Sequence, residues 1–254
     1  MKRCSAILRR MMTTKTTIFN AALAVLGAPA FAGACNDLTF DGASFTVCEA
    51  QVTDTLRLWL DDETGALIGT PERLLATIPE GQRLIFAMNA GMYHPDRRPV
   101  GLYIEDSTEG HSIITTEGPG TFGLLPNGVF CIGEALAVIE SRSYAANPPA
   151  CRYATQSGPM LVIDGALHPK FRADSTSVNI RNGVGVSADG QTAWFAISND
   201  PVTFHQFARL FRDELAVPDA LFLDGAISRL IVPEMDRADI GLPMGPIVGV
   251  VASE

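Results

Sequence analysis

Thr55-Leu56-Arg57-Leu58-Trp59-Leu60 places leucine at every second position, the period of a strand with one face buried. From Leu56 to Ala252 the chain repeats short apolar runs of four to seven residues, broken by Gly, Pro, Asn or Asp. That is a strand-rich pattern. The spacing predicts strands over Thr55–Leu60, Leu84–Met88, Val100–Ile104, Ala135–Ile139, Met160–Ile163, Thr192–Ile197, Ala220–Leu223, Leu230–Val232 and Ile247–Val251. Several are apolar at successive positions and are expected to be buried on both faces. Two helices stand out. Pro71 to Ala76 follows Thr70 as N-cap, carries Pro in its first turn and stops before Pro79. From about Thr203 to Leu215, Phe204, Phe207, Ala208, Phe211 and Leu215 recur at helical spacing, with Arg209, Arg212, Asp213 and Glu214 outward. The expected fold is α+β: a strand-rich single domain with a mixed or antiparallel sheet and a few packed helices.

Composition agrees. The 254 residues are 47% hydrophobic and 19% charged, long and apolar enough to fold around a core. Nineteen Lys plus Arg against 28 Asp plus Glu give a net charge of −9, which argues against a nucleic-acid partner. The cations are unevenly distributed. Lys2, Arg3, Arg9, Arg10 and Lys15 lie in the first 32 residues, which contain no acid, and the remainder carries 14 cations against 28 acids.

That first stretch reads as an export signal. A basic segment leads into Ile18–Leu26, nine residues with only Asn20 polar, followed by Gly27-Ala28-Pro29 and the A-x-A pattern Ala30-Phe31-Ala32. The run is too short to span a hydrocarbon core, which needs about 20 residues, so no stable membrane insertion is expected. Residues 1–32 are expected to be removed, leaving a domain over 33–254 in the periplasm of a Gram-negative cell or secreted. Translation starting at Met11 or Met12 leaves that inference unchanged. Cys35, Cys48, Cys131 and Cys151 then remain, an even number in an oxidising compartment. They admit three pairings, of which the local one, Cys35 with Cys48 and Cys131 with Cys151, is expected. Each closed loop is worth about 3 kcal/mol in the chain-entropy model. A rival reading makes Cys35 a lipid-modified N-terminus, after Ala32-Gly33-Ala34. No C-x2-C pair and no H-E-x-x-H occurs, so no zinc site and no cofactor is expected.

Four polar groups stand at the ends of apolar runs, where a strand hands its last side chain to a loop. They are Asn89-Ala90-Gly91-Met92-Tyr93; Ser157-Gly158-Pro159 leading to Asp164-Gly165; Arg181-Asn182-Gly183-Val184-Gly185; and Asp224-Gly225 continuing to Ser228-Arg229. Asn-x-Gly and Asp-Gly are also ordinary turn chemistry, and Asp164-Gly165 and Asp189-Gly190 read as turns. Arg181 differs. A guanidinium inside an apolar Gly-rich run is costly to bury without an anionic partner.

The order of these four segments resembles the phosphodiester glycosidase family, whose typical member removes N-acetylglucosamine from a phosphodiester on mannose. The resemblance covers about residues 83 to 252. It matches an Asn-x-Gly-Met/Phe-Phe/Tyr segment at Asn89–Tyr93, a Gly-Pro-x-Leu segment at Gly158–Gly165, and an Arg before a Gly-containing strand at Arg181–Gly185. It also matches a helix, at Phe204–Leu215, that leads into a strand ending Leu-Asp-Gly-Gly-Gly-Ser, to which Leu223–Ser228 corresponds. Where the family usually has three glycines after the Asp, this chain has Gly225-Ala226-Ile227, and Arg229 follows Ser228. The added side chains narrow the space beside Asp224, and the chain looks like a bacterial subgroup.

The resemblance implies hydrolysis of a sugar 1-phosphodiester, with a glycan or sugar-phosphate substrate. A departing phosphate is already a good leaving group, so one carboxylate plus a charge-compensating Arg can suffice where glycosidases usually use two carboxyls. Asp224 is expected as base or nucleophile, Arg181 as phosphate clamp, Asn89 as an orienting donor and Glu105 as the second carboxylate. Glu105 also reads as a solvated strand end. Gly91, Met92, Ser157, Gly158, Ser228 and Arg229 are expected to shape the substrate pocket. The competing class is a non-catalytic envelope protein that binds glycans or scaffolds a partner, because fold resemblance does not establish activity.

Overall fold

The strand pattern read from the sequence closes into three sheets in the structure, a computed structural model that describes Met1, residues 35–224 and residues 227–254. The expected export signal, its cleavage site after Ala32 and the Gly225-Ala226 pair lie outside the described residues. The first sheet has seven strands, in the order β1 (Cys35–Phe40), β2 (Ala43–Gln51), β13 (Thr192–Ser198), β12 (Asn182–Val186), β14 (Asp219–Phe222), β10 (Met160–Ile163) and β11 (Ala166–Leu167). The second runs β16 (Arg237–Ala238), β15 (Leu230–Val232), β4 (Gln82–Asn89), β17 (Ile247–Ser253) and β3 (Thr55–Trp59). The third runs β6 (Thr108–His111), β5 (Tyr103–Glu105), β9 (Cys151–Ser157), β7 (Gly128–Gly133) and β8 (Leu136–Glu140). Every strand pairing among the described residues is antiparallel, so the fold is strand-rich with few helices and the mixed alternative is not realised there.

Alternation explains how one core serves all three sheets. Leu56, Leu58 and Leu60 turn inward from the second sheet, and Phe86 and Val248 join them; the first sheet contributes Val184 and Phe195, and the third contributes Phe130 and Ile132. Phe195 is the meeting point, 5.2 Å from Phe86 and 5.5 Å from Phe130 between ring centroids. Each fully buried ring of this kind contributes about 1.5–3 kcal/mol.

The helices cover the outer faces. α1 (Pro71–Thr77) starts as expected, with Thr70 Oγ1 accepting from the Arg73 N–H at 3.4 Å, and packs Leu74 against Trp59, Ile68 and Leu84. α2 (Ser141–Ala146) is capped by Glu140, whose Oε2 accepts from the Ser143 N–H at 2.9 Å. α3 (Phe204–Arg209) is capped by Thr203, and its last expected turns, Leu210–Glu214, are π-helical. Phe207, Ala208 and Phe211 pack against the outer face of the first sheet.

The expected strand over Val100–Ile104 begins only at Tyr103. Before it, Gln156 takes the strand partner's place: its side-chain carbonyl accepts the Leu102 N–H at 3.0 Å and the Ile114 N–H at 3.0 Å. Both expected disulfides are present. Cys35 and Cys48 are register partners of β1 and β2, and Cys131 joins Cys151 across β7 and β9.

Candidate active site

β4 ends at Asn89 and β12 begins at Asn182, and both side chains are fully buried. The two carboxamides face each other. Asn89 Nδ2 donates to Asn182 Oδ1 at 3.2 Å, and Asn182 Nδ2 donates to the Asn89 carbonyl at 3.0 Å. Each amide then reaches the segment after β14. Asn89 Oδ1 accepts the Arg229 N–H at 2.9 Å, and Asn182 Oδ1 accepts the Asp224 N–H at 3.3 Å. Ser228 Oγ lies 3.1 Å from the Ile180 carbonyl and 3.3 Å from Asn182 Oδ1. Two buried asparagines therefore hold both ends of the stretch from Asp224 to Arg229. Such bonds contribute about 1 kcal/mol each, and an unmet buried partner costs more.

Behind this segment, the Ser157 hydroxyl donates to the Leu223 carbonyl and the Leu223 N–H donates to the Asn182 carbonyl at 3.1 Å. Gly158, at the cis Gly158–Pro159 bond, packs on Asn127. Gly91 donates its N–H to Thr155 Oγ1 at 3.1 Å, and a Cβ there would collide with the Gln156 carbonyl. Ser157, Gly158 and Gly91 thus support the site from the interior. Met92 sits in the apolar cluster containing Phe122, and its sulfur accepts from the Thr121 hydroxyl at 3.8 Å.

Asp224 is 5% exposed, and its neighbourhood is polar. Burial, and then the Asp224 charge, push the Tyr93 pKa well above the usual phenol value, while Arg97 and Arg229 oppose the shift. Tyr93 therefore stays a neutral hydroxyl at physiological pH. The Arg97 guanidinium carbon is 5.3 Å from the Tyr93 ring centroid. Arg229 is 8% exposed and lies against Gly241, where φ is +148° and a Cβ would strike the guanidinium. Its side chain makes no hydrogen bond and no ion pair among the described residues. A buried guanidinium with unused donors, sharing a cluster with a carboxylate and a neutral phenol, is equipped to bind an anion.

Arg181 has a different environment. It is 3% exposed, donates from Nε to the Val202 carbonyl at 2.9 Å and from Nη2 to the Ser177 carbonyl at 3.3 Å, and lies 3.6 Å above the Phe204 ring. Burial alone lowers its pKa to about 10, with no neighbouring charge contributing. Its side chain diverges from that of Asn182, as consecutive residues at a strand do. The cations that the structure groups with Asp224 around Tyr93 are Arg97 and Arg229. Glu105 also stands apart from this cluster: its Oε2 accepts from the Tyr103 hydroxyl at 2.5 Å, burial raises its pKa, and its charged neighbours are Arg57, Asp61 and Asp106.

Sequence reasoning did not assign roles to Asn182, Tyr93 or Arg97. Asn182 had a signal: it shares the inward face of β12 with Val184 and Val186, and an amide on such a face needs partners. Tyr93 and Arg97 lie in a tight local return, where the His94 N–H donates to the Arg98 carbonyl at 2.8 Å and Arg97 takes a φ of +73°; the turn is local, but its placement beside Asp224 is not. Among the described residues no group of three or more His, Cys, Asp or Glu is arranged to hold a metal ion.

Comparison with known proteins gives the family and the fold. The chain is similar to the uncharacterized protein YigE of Escherichia coli, with 32% identity over 212 residues, covering 82% of this chain and 83% of that protein. Among solved structures it resembles the catalytic domain of zebrafish N-acetylglucosamine-1-phosphodiester α-N-acetylglucosaminidase, auto-inhibited by its pro-peptide. There the TM-score is 0.58 at 14% identity, over 85% of this chain and 81% of that one. A hypothetical protein from Synechocystis gives 0.54 at 13% identity, over 86% of this chain and 61% of that one. At such identities the likeness is one of fold. The phosphodiester glycosidase family model matches residues 82–241, a span that contains Asn89, Tyr93, Asn182, Asp224 and Arg229, and by that match the chain belongs to the phosphodiester glycosidase family.

Proposed function

We propose that this chain is an exported hydrolase that releases a sugar from a sugar 1-phosphodiester, with the Asp224 cluster as its active site. The observation that carries the reading is Arg229: a buried guanidinium with no side-chain partner among the described residues, in the same cluster as a buried carboxylate. A phosphodiester offers both the anion for Arg229 and the anomeric carbon for Asp224. In the reaction the bond between the anomeric carbon and the phosphate-ester oxygen breaks. The phosphomonoester leaves with that oxygen and its electron pair, and water supplies the new hydroxyl of the sugar. Asp224 acts as base toward that water or as nucleophile, Arg229 and Arg97 compensate the charge on the departing phosphate, and Tyr93 offers a neutral hydroxyl donor. Asn89 and Asn182 position the segment that carries Asp224 and Arg229. The A-x-A pattern at residues 30–32 and the two disulfides support export.

The test is release of sugar from a panel of α- and β-linked sugar 1-phosphodiesters. Wild type is expected to hydrolyse at least one. Asp224→Asn, which keeps shape and removes charge, is expected to lower turnover by on the order of 10³-fold or more while melting temperature stays close to wild type. If wild type releases no sugar, or Asp224→Asn keeps full activity, the non-catalytic glycan-binding reading replaces this one.

A further inference from the structure

A second cleft, of about 690 Å³, opens on the outer side of β3. Arg57, Trp59 and Asp61 fall at alternate positions along that edge and share its face. α1 supplies the opposite wall through Arg73, and Glu105 of β5 closes one end. At Asp61 and Glu105 the cleft meets a further pocket of about 400 Å³, lined by Arg98, Pro99, Tyr103 and His111. The combined space suits a ligand of more than one ring.

The polar groups of this cleft divide into satisfied and open. Asp62 is satisfied, by Arg73 at 2.8 Å and by the Thr64 hydroxyl at 2.6 Å. Asp61 is half satisfied: Oδ2 takes Arg98 at 2.5 Å, while Oδ1 is buried without a partner. Arg57 stacks on Trp59, its guanidinium carbon 5.2 Å from the ring centroid, and its Nε is buried without a partner. Glu105 feels the Arg57 charge, yet the two form no ion pair, and only its Oε2 is engaged, by Tyr103. Buried polar atoms are almost always hydrogen-bonded. The cleft lining therefore holds one donor and carboxylate acceptors that no protein group takes up.

Charge narrows what can fill that cleft. A cation would meet Arg57 on the floor, and an anion would meet Asp61 and Glu105. Hydroxyl groups each donate and accept, and so satisfy a carboxylate and a guanidinium together. We infer that the Arg57–Asp61–Glu105 cleft is a binding site for a neutral, hydroxyl-rich carbohydrate, separate from the Asp224 cluster. The inference does not depend on catalysis at Asp224. The loop from Tyr93 to Pro99 stands between the two regions, with Tyr93 and Arg97 toward Asp224 and Arg98 toward Asp61.

Maltose, cellobiose, lactose, chitobiose and mannobiose, titrated into the purified protein by saturation-transfer NMR and calorimetry, test the assignment. At least one disaccharide is expected to bind at a single site. Asp61→Asn and Arg57→Lys are each expected to weaken it at least tenfold, and Asp224→Asn to leave it unchanged. Glu105→Gln substitutes for either variant that does not fold, with the same expected loss. The assignment is overturned if none of the five sugars binds, if the cleft variants bind as wild type does, or if Asp224→Asn removes the binding. A failure of sugar release leaves this result untouched, so the two readings fall separately.

Discussion

Arg181 and Arg229 are both buried, and neither forms an ion pair among the described residues, yet their surroundings differ. Arg181 spends its donors on the Val202 and Ser177 carbonyls and lies on Phe204, which continues a stack through Phe171 to His168. Arg229 spends only its backbone N–H, on Asn89, and leaves its guanidinium against Gly241 beside Tyr93 and Asp224. Burial by itself therefore does not mark an arginine as functional. What distinguishes the two is the balance of donors used against donors left over: Arg181 bonds two backbone carbonyls, whereas the Arg229 guanidinium bonds none among the described residues.

Exchange of each arginine for lysine sharpens the contrast most. Lysine keeps the charge and loses the planar fork. Arg229→Lys is expected to lower kcat/KM on a sugar 1-phosphodiester by about 10²–10³-fold, the scale of removing one charge-stabilising donor, with melting little changed. Arg181→Lys is expected to do the reverse, destabilising by about 1–3 kcal/mol through its unmet carbonyls with kcat/KM within about threefold of wild type. Steady-state kinetics and urea denaturation on both variants decide it. Equal catalytic losses would break the comparison and restore Arg181 as an anion clamp.

A smaller effect is expected on the amide pair that carries the Arg229 side. Asn182→Ala removes the acceptor shared by the Asn89 amide and the Asp224 N–H. As a positioning residue it should lower kcat by about 10- to 100-fold while KM stays within a few-fold. A parallel rise in KM, or loss of stability with unchanged kcat, would reduce it to a structural role.

The smallest effect lies at the far end of the Arg181 stack. His168 is 1% exposed, and burial holds its pKa below the ordinary 6.5. Protonation then favours the unfolded chain, so His168 contributes stability that is complete above pH 6.5 and lost as pH falls toward the folded-state pKa. Wild-type stability should decline on acidification through that window, by at most about 1.4 kcal/mol per pH unit from this group. His168→Gln should flatten that part of the urea-denaturation profile, and an unchanged slope would show that other groups set it.

Some of this was legible in the residues and some was not. Alternation at Leu56, Leu58 and Leu60, the Thr70 and Thr203 caps and the local cysteine pairings follow from short-range chemistry, and each appears in the structure. The four polar segments in order were also legible, and all four lie within residues 82–241, the span that the family model matches. Strands with buried polar residues were not. β9 holds Thr155, Gln156 and Ser157 inside because distant segments, at Gly91, Leu102 and Leu223, supply their partners. Nor did the sequence divide the roles of Arg181, Glu105 and Arg229. Side chains separated by 93 residues, such as Asn89 at the end of β4 and Asn182 at the start of β12, meet only because two different sheets pack around one core. A local pattern states which groups need partners, and the tertiary structure alone decides which partners they receive and which donors are left for a ligand.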